Sequence, residues 1–145
     1  MTAPILHIFR RDLRLSDHPA LSAAVESGRP VIPVFILDEV AQTYGAAPKF
    51  RLGLSLAQLA RDLADKGNRL ILRRGRALEV IRALIAETGA DTVHWTRAYD
   101  PDALARDTAV KAALKKDGIA AASFPGQVLF EPWTVATGQG GFYQV

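Results

Sequence analysis

The stretch His7–Leu21 reads HIFRRDLRLSDHPAL, and its reading decides the fold. The apolar run ILHIF, Ile5–Phe9, is rich in β-branched and aromatic residues and predicts a strand. It stops at Arg10-Arg11-Asp12-Leu13-Arg14. Ser16-Asp17-His18-Pro19 then supplies a capping residue and a proline suited to a helix start. Strand, charged turn and helix make the opening of an α/β unit. The turn carries no glycine, although a nucleotide-binding unit usually ends its first strand in a glycine-rich one.

Outward from this stretch the alternation continues. Leu21, Ala24 and Val25 form the inner face of a short helix closed by Gly28. VIPVFIL, Val31–Leu37, is apolar on both faces, as a central parallel strand covered by helices on both sides should be. Pro33 within it removes a ladder donor. A long helix runs from near Pro48 to Lys66, with Leu52, Leu56, Leu59 and Leu63 at helical spacing. RLILR, residues 69–73, predicts a third strand. Leu78, Ile81 and Ile85 mark a third helix ended by Gly89. TVHW, residues 92–95, predicts a fourth strand. Ala103, Asp107, Val110 and Leu114 line a fourth helix that stops at Gly118. IAAAS, residues 119–123, is a fifth, weaker strand. Five alternations predict a Rossmann-like, doubly wound parallel sheet in the order 3-2-1-4-5, with helices on both faces. Ligands of such folds sit outside the carboxyl ends of the strands, here the loops that begin near Arg10, Asp38, Arg74 and Thr96.

Composition excludes several classes. The 145 residues suit one domain, or part of a larger protein, and 49% are hydrophobic and 23% charged. With no cysteine, thiol catalysis, disulfides and cysteine metal sites drop out. MTAPILHIF has no charged leader and reads as a strand, not a signal peptide. No apolar run is long enough to span a bilayer, so the expected compartment is the cytoplasm, with no membrane partner. The formal charge of +3 permits contact with anions but does not argue for nucleic acid. Its distribution is uneven: arginines stand at 10, 11 and 14, at 73, 74 and 76, and at 97 and 106. A solvated basic surface explains them as well as a ligand site does.

No GxGxxG, GxxxxGK[ST] or GxSxG occurs, which argues against a dinucleotide dehydrogenase and a serine hydrolase. His7 and His94 fall inside neighbouring strands and read as satisfied core residues, with no carboxylate at ligand spacing from them. The charged turn has two readings. Its arginines could hold an anion, or Asp12 could pin neighbouring arginines in an internal ion-pair network. Arg11 is the ligand contact expected of the set. After Ser123 the pattern breaks into FPGQVLFEPWTVATGQGGFYQV, rich in glycine, proline and aromatics. Phe130, Trp133, Phe142 and Tyr143 would be costly to expose together. Their burial on this sheet would favour a free-standing module; their exposure would favour part of a longer protein.

HIFRRDLRLSDHPAL closely resembles the opening of the photolyase/cryptochrome family. VIPVFILD resembles its second strand, ending at Asp38, and FRLGLSLAQLARDLADKG its long second helix. RLILRRG resembles the third strand. Trp95-Thr96-Arg97-Ala98-Tyr99-Asp100-Pro101 and Arg106-Asp107 resemble the loop and helix start after strand 4, and VLFEPWTVATGQGGFYQV resembles the connector. The resemblance covers essentially the whole chain. It implies that residues 1–124 form the family's antenna-binding α/β domain, and that 125–145 begin the connector to a C-terminal helical domain holding FAD. It implies a light-harvesting role in a deoxyribodipyrimidine photo-lyase that repairs pyrimidine dimers in damaged DNA, with the segment itself not catalytic. A cryptochrome photoreceptor carries the same domain; a nucleotide-binding or scaffold module is the remaining alternative. By the resemblance, Arg10 and Arg11 would line one wall of the antenna site and Phe35, Leu37 and Asp38 another. Arg51 would reach in from the second helix, and Thr96, Arg97, Tyr99, Asp100 and Asp102 would close it. The antenna would be a methenyl-tetrahydrofolate, a deazaflavin or a flavin, or the site would be empty. Where folate-binding relatives often carry an asparagine–glutamate pair in the last loop, this sequence has Asp102 and Ala103.

Overall fold

The computed structural model describes residues 2–141. Its elements run β1 (Ile5–Phe9), α1 (Pro19–Glu26), β2 (Val31–Leu37), α2 (Ala46–Asp65), β3 (Ile71–Arg74), α3 (Ala77–Thr88), β4 (Thr92–Thr96), α4 (Pro101–Lys116) and β5 (Ala120–Phe124). Single 3-10 turns lie at Ala41–Thr43 and Pro132–Thr134. The five strands pair in parallel in the expected order β3-β2-β1-β4-β5, so the winding reverses between β1 and β4.

Strand alternation sorts the core into two layers. Leu6 and Ile8 of β1, Val34 and Ile36 of β2, and Val93 and Trp95 of β4 pack against Ala77, Ile81 and Leu84 of α3 and Val110 and Leu114 of α4. On the other face Phe9 and Phe35 meet Leu59 and Leu63 of α2, with Leu21 of α1 beside them. Fully burying a side chain such as Leu59 or Ile81 contributes about 1.5–3 kcal/mol. Pro33 pairs with His7 of β1, and the ladder to β3 begins only at Val34. The proline therefore sits where β2 has no β3 partner, an edge-like position that tolerates a missing donor.

Within the expected capping stretch the cap of α1 is His18, whose Nδ1 accepts the Leu21 N–H, with Pro19 at the first helical position. Two details differ from the sequence reading. β3 lies at Ile71–Arg74 rather than 69–73, because Leu70 is drawn into the α2-side core before the strand begins. Only the second half of α2 is fully buried, at Leu59 and Leu63; Ala46–Arg51 are exposed. Beyond β5, Leu129, Phe130 and Trp133 are largely exposed; Phe142 and Tyr143 lie outside the described residues. Among the described residues no helix is long and apolar enough to cross a membrane.

Candidate functional site

The charged turn is built on Asp12. The chain reverses after Phe9 so that Asp12 Oδ1 accepts the Arg10 N–H at 2.7 Å. Its Oδ2 accepts the Thr96 hydroxyl from the end of β4 and lies 2.8 Å from His18 Nε2. Because His18 Nδ1 is taken by the Leu21 N–H, its proton belongs on Nε2, facing the carboxylate. Burial opposes the charge on Asp12, but hydrogen bonds from His18, Thr96 and the Arg10 N–H outweigh it and hold the carboxyl far below its usual range. Asp12 thus fixes the turn through the Arg10 backbone and His18, not by pinning arginine side chains as the ion-pair reading had it.

His7, Asp12 and His18 also bring three potential ligand atoms within 4.8 Å of one another, all buried. Sequence spacing showed no carboxylate at ligand spacing from His7 or His94; the chain reversal brings Asp12 to His7. Asp12 spends both oxygens on the donors just named, so Asp12 and His18 act as a hydrogen-bonded anchor with the His7 ring packed beside it. His7 is left neutral: burial, with His18 adding, lowers it to about 3, and neither ring nitrogen has a hydrogen-bond partner among the described residues.

With the turn fixed, the carboxyl ends of β1 and β2 open into a cleft. It is lined by Arg10 and Arg11, by Phe35, Ile36 and Asp38, by Ala41 and Tyr44 from the following loop, by Leu52 of α2, by Ala98, Ala103 and Arg106, and by Gln127 beyond β5. The free space between these walls, counted out to solvent, is about 390 Å³, but the part wide enough for water is only about 20 Å³. It is a narrow slot, and a flat ring would have to part its walls. The exposed first half of α2 is the wall least held by the core.

Under the slot lie four buried charges. Arg10 Nη2 stands 2.9 Å from Asp107 Oδ1, and its Nη1 stands 3.7 Å from Asp38 Oδ2. The first is a buried ion pair that favours the ionised Asp107, and the second is too long for a hydrogen bond. Arg106 bridges the two carboxylates, with Nη1 donating to Asp38 and Nε to Asp107, each at 2.9 Å. Burial raises the carboxyl of Asp38, against the Ala41 N–H and Arg10, which pull it down. It raises that of Asp107 to about 6, with Arg10 opposing and Asp100 adding. The Arg10 guanidinium also lies over the Trp95 ring, 5.9 Å from its centre.

Of the residues expected in the site, Arg10, Arg11, Phe35 and Asp38 line the slot, and Asp100 joins its rim by pairing with Arg11. The others are placed elsewhere. Arg51 is exposed over a shallow depression with Leu13, Leu54, Ser55 and Gln58; one helical step later, Leu52 faces the slot instead. Asp102 likewise faces out beside Glu39, Val40 and Thr43, while Ala103 lines the slot. Leu37 packs in the α2-side core and Thr96 is buried under the turn. Arg97 and Tyr99 reach away to the segment beyond β5. Arg97 donates to Glu131 at 2.5 Å and to the Ser123 carbonyl at 2.9 Å, and stacks 5.6 Å from the centre of the Trp133 ring. The Tyr99 hydroxyl donates to Glu131 at 2.8 Å. The sequence reading missed Tyr44, Leu52, Arg106 and Gln127 as slot residues. Asp107 had a visible signal, a charge within the apolar stripe of α4.

Beside the doubly wound sheet, the arginine-lined slot and the charged turn where a glycine loop would stand, the sequence itself matches a known family. A DNA photolyase family model fits residues 5–145, and the chain belongs to that family, as its N-terminal α/β domain. It is 51% identical over 144 residues to a deoxyribodipyrimidine photo-lyase of Agrobacterium fabrum, covering 99% of this chain and 30% of that protein. Among solved structures it is similar to a bacterial class III photolyase from Agrobacterium tumefaciens, with TM-score 0.94 and 49% identity over 100% of this chain and 30% of the other. It is also similar to an archaeal photolyase from Sulfolobus tokodaii, with TM-score 0.77 and 29% identity over 88% and 30%. The chain spans about 30% of the length of these relatives.

Proposed function

We propose that the slot holds a flat, anionic antenna chromophore, and that the chain is the light-harvesting domain of a deoxyribodipyrimidine photo-lyase acting on damaged DNA. The FAD that drives repair would lie in a C-terminal domain of the parent protein, which this proposal places in the cytoplasm. The observation that carries the reading is Arg10. It is a buried guanidinium on the wall of a slot lined by both charged and apolar side chains, ion-paired on one side to Asp107. Such a group suits a ligand oxygen or ring carbonyl, while Phe35, Leu52 and Ala98 suit the faces of a heterocycle. The Sulfolobus tokodaii relative, described with two FAD molecules and a novel light-harvesting cofactor, supports an aromatic antenna in proteins of this fold. A bound antenna would absorb near-ultraviolet or blue light and pass its excitation to the flavin.

The chain's own part is to bind and orient. Arg10 and Arg11 would take the polar edge, Asp38 would hold the Arg106 side of the floor, and Tyr44 and Leu52 would close on the ring. The exposed Leu129, Phe130 and Trp133 would meet the rest of the parent chain. The test is an absorption spectrum after incubation with methenyl-tetrahydrofolate, a hydroxylated deazaflavin or FAD, followed by desalting. One retained band is expected, lost in Arg10→Ala and kept in Arg51→Ala. No retained band with any of the three overturns the reading.

A further inference from the structure

The four charges under the slot cancel in sign but not in hydrogen bonding. Asp38 is saturated: Oδ1 accepts the N–H groups of Val40 and Ala41 at 3.0 and 2.9 Å, and Oδ2 accepts Arg106. Asp107 is not. Its Oδ1 accepts Arg106 Nε and touches Arg10 Nη2, while its Oδ2 is buried with no partner among the described residues. One oxygen of one aspartate is therefore free to take a proton without breaking either arginine contact.

We propose that Asp107 is a positioning residue that sets the charge of the slot. Ionised, it neutralises Arg10; protonated on Oδ2 by solvent, it leaves the Arg10 charge to the ligand. The slot then holds anions more tightly in mild acid, and binding draws in a proton. This inference rests on the slot binding an anionic ligand, as proposed above.

The groups that face Asp107 are few. Arg10 comes from the end of β1, Arg106 from its own helix and Asp38, through both arginines, from the end of β2. Trp95 of β4 brings a buried indole N–H close to Asp107 that favours the ionised carboxylate, though it is out of line for a full hydrogen bond. Asp100, in the loop after β4, repels it from outside but is itself paired with Arg11. The balance, with burial the largest cause, puts the Asp107 carboxyl at about 6, where a modest change in nearby charge shifts its protonation. Linkage works both ways: if the protonated state favours the anion, the anion favours the proton. A ligand that raises Asp107 by one pKa unit binds about sixfold more tightly at pH 5.5 than at pH 7.5.

The test titrates the protein with FAD, whose diphosphate keeps its charge across that range, and separately with folic acid. Fluorescence quenching at the two pH values reads affinity. Calorimetry near pH 6.5, in two buffers of different ionisation enthalpy, reads protons taken up. The expected result is about sixfold tighter binding at the lower pH with net proton uptake, both abolished in Asp107→Asn. The wild-type profile and proton count stand as a test even if that variant folds poorly. Equal affinity at both pH values, no proton uptake, or an unchanged profile in Asp107→Asn overturns this inference and leaves the slot as a binding site. Failure of both probes to bind at either pH removes the slot reading and this inference with it.

Discussion

Replacing Asp12 with alanine takes the acceptor that serves three buried donors among the described residues: the Arg10 N–H, the Thr96 hydroxyl and His18 Nε2. A buried donor left unsatisfied costs about 1–3 kcal/mol. The Thr96 hydroxyl can rotate in search of another acceptor, whereas the backbone N–H and the ring N–H cannot. The expected loss is about 3–6 kcal/mol, a large share of the roughly 5–15 kcal/mol that holds a native domain. Asp12→Asn keeps the volume and one oxygen but sets an amide against the His18 N–H, and should lose about 2–3 kcal/mol. The pH dependence has a definite sign. The folded carboxyl lies below the unfolded value of about 3.9, so its contribution is full above about pH 4 and fades as the solution becomes more acid. Urea unfolding followed by far-ultraviolet circular dichroism should show a constant gap between wild type and Asp12→Asn from pH 8 to pH 5, shrinking in stronger acid. A loss under about 1 kcal/mol for Asp12→Ala, or a gap that widens as pH falls, would refute the anchoring role.

Four further predictions concern other parts of the molecule. Asp107 carries the opposite sign: with its folded value near 6 and an unfolded value of about 3.9, it stabilises most below pH 4. That contribution falls by about 2 kcal/mol between pH 4 and pH 6 and is gone by about pH 8, visible as a slope in wild type that Asp107→Asn lacks. Gly126 has φ +151°, and a Cβ there would meet Thr96 Cγ2 at 3.2 Å; Gly126→Ala should cost about 1–3 kcal/mol in the urea midpoint. His7→Leu removes two unpartnered buried nitrogens and should leave stability unchanged or raise it by about 1 kcal/mol, read by thermal unfolding. Glu131→Gln weakens the contacts from Arg97 and Tyr99, so limited proteolysis should cut residues 125–135 faster while the urea midpoint barely moves.

The fold was legible because each element agreed with its neighbours. The doubly apolar VIPVFIL could only be an inner strand, and helical spacing in α2 and α4 fixed the crossovers. The site was legible to about one helical step. Arg51 and Asp102 were named where Leu52 and Ala103 line the slot, because resemblance locates a loop or turn while a 100° rotation per residue decides which side chain enters it. Arg97 and Tyr99 stand away from the slot for another reason: their partner, Glu131, lies in a segment without periodicity, where no pattern reports contacts. The His18–Asp12 contact was hidden because it depends on the path of a turn, not on spacing along an element.

The segment after β5 bears on where this domain can be divided. Phe124 ends the last strand and is the natural place to cut by secondary structure, and residues 1–124 were the expected unit. A cut there would take Gln127 out of the slot wall, free Arg97 and Tyr99 from Glu131, and remove the Gly126 carbonyl from Arg14. A fragment that keeps these contacts therefore runs to at least Glu131. Any transplant of this module onto another protein should carry that strap as part of the binding site, not as a disposable linker.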